Sequence, residues 1–134
     1  MNEFTMTRSL AMPYAQAVAQ VQEGLARVGF GILTEIDIAA TLKTKLGVDV
    51  PAKTILGACR PQLAHQALQA DPRVATLLPC NVVVSADGDG SVVEIMNPDV
   101  MPEFTGTPAL TAVATEAREL LTAMLDALTD GGAQ

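Results

Sequence analysis

The chain has 134 residues, 49% of them hydrophobic, and a net charge of −7, which is the length of one domain with enough apolar matter to close a core without disulfide or metal staples. The negative field repels phosphate backbones and anionic lipid, and three phenylalanines, one tyrosine and no tryptophan give little to stack bases on, so nucleic-acid and membrane-surface binding are excluded as function classes. No apolar run reaches the ~20 residues of a membrane-spanning helix, and Met1–Ser9 lacks the basic region and apolar run of a signal peptide.

We therefore expect a cytoplasmic protein that does not touch membranes. Cys59 and Cys80 then stay reduced; in an exported chain the same two residues could pair as a disulfide.

Taken in chain order, Asn2–Ser9 alternates weakly and reads as a first strand, with Phe4 and Met6 on one face. Pro13 suits the first turn of a helix, because its missing N–H has no partner there anyway. Val18, Val21, Leu25 and Val28 then recur at spacings of three and four, an apolar helical stripe that Gly29 ends. Phe30–Asp37 is a second strand, and Ile38–Leu46 a short helix stopped by Gly47. Lys53–Cys59 is a third strand. Pro61–Ala70 is a helix with Leu63, Ala67 and Leu68 able to face inward, broken by Asp71-Pro72.

Leu78–Ala86 and Ser91–Met96 flank Asp87-Gly88-Asp89-Gly90 and form a hairpin. Pro98, Pro102 and Pro108 mark an irregular connection. A last helix over 108–128 carries the stripe Leu110, Val113, Ala117, Leu121, Met124 and Leu128. No repeat or linker divides the chain, so 1–134 is expected to be one domain, with residues 131–134 frayed. The pattern predicts an α+β fold of two layers: a mainly antiparallel sheet with helices on one face.

The segments GFGILTEID (29–37), ILGACRPQLAHQAL (55–68), LLPCNVVV (77–84) and MNPD (96–99) together resemble the "domain of unknown function 302" family over about residues 10 to 128. The resemblance implies a β-α-β-β-β-β-α order with added short helices, like one repeat of the TATA-box-binding protein, and a homodimer. It implies no DNA binding, since topology does not carry function, and it brings no activity. The family's cysteine–proline–x–leucine–alanine–histidine feature falls on Cys59, Pro61, Leu63, Ala64 and His65. Its leucine–proline–cysteine–asparagine feature falls on Leu78, Pro79, Cys80 and Asn81.

Candidate chemistry gathers at these two features. Cys59 leaves a strand just before a helix N-terminus, whose partial positive charge, with Arg60, favours a thiolate. His65 lies in that helix and Cys80 opens the next strand, so the three are expected to converge. Such a group could bind a soft metal, copper(I) or zinc. It could instead serve a thiol enzyme or redox protein, with Cys59 as nucleophile and His65 as base. With Asn81 it could frame a pocket for a small-molecule ligand.

Against all three stands core packing, the usual fate of a free cysteine. The spacing C-x5-H-x14-C matches no standard zinc knuckle. With no third polar group placed to orient His65, binding is favoured over catalysis. A structural or partner-binding dimer without a small-molecule site is the remaining reading.

Three other features read as structural. Glu35 and Asp37 lie two apart on a strand and so share a face, with Asp37 set to cap the next helix. Asp87 and Asp89 open like a calcium loop, but Val92 stands where that loop needs glycine and Pro98 where it needs glutamate. Lys43, Lys45 and Lys53, the only lysines, read as a solvated face.

Overall fold

The structure, a computed structural model, describes residues 3–129; the expected fraying of 131–134 lies outside them. Five strands form one sheet in the order β1-β5-β4-β3-β2, with every neighbouring pair antiparallel. The strands are β1 Thr5–Leu10, β2 Gly31–Asp37, β3 Lys53–Cys59, β4 Cys80–Asp87 and β5 Gly90–Met96. The helices are α1 Tyr14–Arg27, α2 Ile38–Leu46, α3 Pro61–Ala70, α4 Val100–Thr105 and α5 Thr111–Ala127. This is the expected β-α-β-β-β-β-α order with α2, α3 and α4 inserted.

Alternation along the inner strands makes one face of the sheet the core face. Leu56 and Ala58 of β3, Val82 and Val84 of β4, and Val93 and Ile95 of β5 are all buried on it. α1 packs on this face, and α5 packs against α1. The α5 stripe expected from the spacing is buried throughout. On α1 the buried line is Ala17, Val21, Gly24 and Leu25, while Val18 and Val28 flank it, partly buried. Gly24 is part of the line because of the partner helix: a Cβ there would lie 2.9 Å from Met124 Cγ.

The local stops behave as their chemistry dictates. The Asp37 carboxylate accepts from Ala40 N at 2.8 Å and caps α2. Gly47 ends α2 at φ +70°, a conformation that side chains oppose. In the hairpin Asp87 pairs with Gly90, leaving Gly88 at φ +58° and Asp89 as a two-residue turn. Both aspartates of the turn are exposed.

Three expectations need correction. β1 starts at Thr5, so Glu3 and Phe4 lie before it, Phe4 60% exposed, while Asn2 lies outside the described residues. Leu68 does not turn inward; the buried face of α3 is Leu63 and Ala67, and Leu68 is 39% exposed. The connection after β5 is not irregular throughout, because α4 and a short 3₁₀ turn over Pro108–Leu110 occupy it. Pro102 is tolerated in the first turn of α4, where backbone N–H groups have no intrahelical acceptor.

Candidate functional site

The register of β3 and β4 places Ala58 opposite Cys80, so Cys59 is one residue past direct opposition. Strand alternation alone would turn the two thiols to opposite faces. At the end of β3, however, the chain turns through Arg60 into α3, and there Cys59 and Cys80 border one cavity of about 20 Å³. That is room for about one water molecule. Phe30, Leu63, Ala67, Leu78, Val113 and Ala117 give it an apolar wall. Cys80 is buried and Cys59 half-buried, and both are free thiols. Burial, helped by the negative charge of a neighbouring Cys59 thiolate, pushes the Cys80 thiol up to about 11.

Two further side chains line this cavity: Met101, which the sequence did not mark, and Arg60, which it did. Met101, from α4, is 2% exposed. The Arg60 guanidinium Nη1 donates to the Val28 carbonyl at 3.3 Å. The Arg60 Nε–H is buried with no hydrogen-bond partner among the described residues. Ser85 Oγ is buried without a partner there as well, whereas the three fully buried polar residues among those described are satisfied. Thr54 bonds Tyr14 Oη, Ser91 Oγ donates to Met12 O at 2.8 Å, and Asp71 is held by Arg73 and Thr107.

The structure does not bring the expected trio together. Leu63 and Ala67 fix the inward face of α3, and His65, two residues from each, is exposed on the other side of the helix, outside the cavity. Among the described residues, no group of three or more His, Cys, Asp or Glu side chains is placed to hold a metal ion. Asn81 is apart as well. It is exposed on the opposite face of the sheet from Cys80, where it flanks Gly57 together with Thr34 and Pro79.

The remaining conspicuous polar residues have structural partners. Glu35 accepts from Gln22 Nε2 at 3.2 Å, and Lys43 pairs with Asp49 at 3.0 Å. In the MNPD segment Asn97 Oδ1 accepts from Asp99 N at 3.0 Å, and Asp99 pairs with Arg118 at 2.5 Å. That segment shapes the turn into α4 and so helps to position Met101. No helix among the described residues is long and apolar enough to cross a membrane.

Comparison with known proteins agrees with this architecture. Residues 6–128 match the family model "Domain of unknown function DUF302". The structure is similar to that of an uncharacterized conserved protein DUF302 from Bacillus stearothermophilus, at a TM-score of 0.85 and 27% identity, covering 92% of this chain and 96% of that one. No functionally curated protein matches the sequence.

Proposed function

The chain belongs to the DUF302 family, a membership that supplies a fold and no activity, and from the geometry we propose that it is a binding module for a soft metal ion held by Cys59 and Cys80. The observation that carries this reading is the pairing of two free thiols on a cavity of about 20 Å³. A space that admits about one water admits an ion and excludes an organic ligand. Thiolates favour soft cations, and ligation displaces the thiol proton even where burial disfavours a free thiolate. The exposed place of His65 leaves Cys59 without the base that a nucleophilic role needs. The reading has the chain in the cytoplasm, whose reducing poise keeps the thiols available for metal.

The test is an anaerobic titration with copper(I) against a chromophoric chelator. The wild type should take one copper from the chelator, and Cys59→Ser or Cys80→Ser should abolish that transfer. Equal uptake by the serine variants would overturn the reading.

A second observation favours a homodimer. Leu33, Ile36, Leu46, Val48 and Val50 are five of the eight large hydrophobic residues exposed among those described, and all five fall on β2, α2 and the segment that follows. α2 buries none of its residues, and β2 is an edge strand. The carboxylates of this stretch, Glu35, Asp37 and Asp49, are balanced by Lys43, Lys45 and Lys53, so the net charge of −7 resides in the rest of the chain. Two acidic copies therefore meet here with least repulsion, joining edge to edge through β2. Light scattering should give about twice the 13.9 kDa chain mass, and Ile36→Asp should return it to one chain. A monomeric wild type would refute the dimer, and a dimeric Ile36→Asp would refute this interface.

A further inference from the structure

Three sulfur-bearing side chains, not two, border the cavity. Cys59 comes from the end of β3, Cys80 from the start of β4, and Met101 from the first turn of α4. A methionine in a core ordinarily fills irregular space. Here it borders, with two thiols, room for about one water molecule, in a wall otherwise apolar except for Arg60.

We propose that Met101 completes a three-sulfur site with Cys59 and Cys80 that is selective for a soft monovalent cation, copper(I) or silver(I). This rests on the thiol-pair reading and extends it to the third ligand and the class of metal. Thiolate and thioether donors together select copper(I). Zinc wants four donors drawn from thiolate, imidazole and carboxylate, and a thioether is not among them. The cavity supplies two such donors; His65, the one histidine of the chain, is exposed outside it.

Charge balance agrees. Binding one monovalent cation releases both thiol protons and leaves a complex of charge −1, with two metal–thiolate bonds and one metal–thioether contact formed. No electron is transferred. The Arg60 guanidinium borders the same cavity, and its buried Nε–H has no partner among the described residues. A thiolate sulfur carrying negative charge is an acceptor that such a donor can complement. A divalent ion would leave the complex neutral and remove the reason for an arginine beside it.

The experiment uses the whole chain with methionine replaced by selenomethionine, loaded anaerobically with copper(I) and measured by X-ray absorption at the copper edge. Selenium should appear in the copper shell beside sulfur, and Met101→Leu should remove it. The same substitution should weaken copper(I) binding at least tenfold, the lower end of what even an outer-shell partner costs. Excess zinc should not displace copper(I) from the unsubstituted chain.

Copper bound by sulfur alone, or a Met101→Leu chain that binds as tightly as the wild type, would overturn the role of Met101 and leave the thiol pair standing. Displacement by zinc would overturn the monovalent selectivity. A chain that takes no copper would overturn the underlying reading as well. Should Met101→Leu fail to fold, the selenium signal of the unsubstituted chain decides, because Met101 is the methionine that lines the cavity.

Discussion

Thr107 Oγ1 donates a 2.8 Å hydrogen bond to Asp71 Oδ2, joining the end of α3 to the turn that leads into α5. Arg73 grips the same carboxylate from the other side, with Nε at 3.0 Å and Nη2 at 2.7 Å. The hydrogen bonds from the Arg73 side chain, then the one from Thr107, hold the Asp71 carboxyl well below the usual carboxylate range. Both bounding segments carry walls of the Cys59–Cys80 cavity, so this clamp lies behind the site.

The clamp makes stability depend on pH in one direction. A folded-state pKa below the unfolded value of about 3.9 contributes stability that is fully present at neutral pH and is lost as pH falls below about 4 toward the folded value. Asp71→Asn should therefore be less stable than the wild type at neutral pH, and the gap should close on acidification. Urea denaturation across that range checks it; a gap independent of pH would contradict the assignment.

On the other face of the sheet, a Cβ on Gly57 would meet Thr34 Oγ1 at 2.2 Å and Pro79 Cγ at 2.9 Å. Gly57→Ala should destabilise by about 1–3 kcal/mol, the usual cost of overpacking. Pro79 directly precedes Cys80, so the substitution should also disturb the start of β4. Chemical denaturation gives the first quantity, and the labelling rate of Cys80 the second.

The hairpin turn offers the opposite expectation. Asp89 is exposed, and Asp89→Asn should move stability by no more than about 0.5 kcal/mol, as surface changes do. Calcium should leave the thermal midpoint of both proteins unchanged. A calcium-dependent midpoint lost in the variant would mean that the turn binds the ion.

The two thiols should differ in reactivity. Cys59 is half-buried, whereas Cys80 is buried with its thiol pushed up to about 11. Native alkylation near pH 8, read peptide by peptide, should label Cys59 first and leave Cys80 protected until the chain is unfolded. Prior copper(I) loading should protect Cys59 too. Equal rates in the metal-free protein would contradict the burial order.

Much of the fold was legible because its punctuation is chemical. Asp37 and Gly47 bound α2, Pro61 opens α3, and Gly88 turns the hairpin, each where its backbone preference requires. α4 was hidden by its prolines, which argue against a helix unless Pro102 falls in the first turn, as it does. With α4 went Met101, the sulfur that the sequence did not mark. For His65 the signal was present: Leu63 and Ala67, four residues apart, already set the inward face and put the imidazole outside it. Cys59 and Cys80 were expected together, but what brings them to one cavity is the turn of the chain through Arg60 at the end of β3, because the register sets Ala58, not Cys59, opposite Cys80.

The most direct test of the metal-binding account is native mass spectrometry of the untagged chain, kept anaerobic and given one equivalent of copper(I). The account predicts one copper per chain with two thiol protons displaced, and no adduct when both Cys59 and Cys80 are serine. A double-serine chain that still carries copper, or a wild-type chain that carries none, would contradict it.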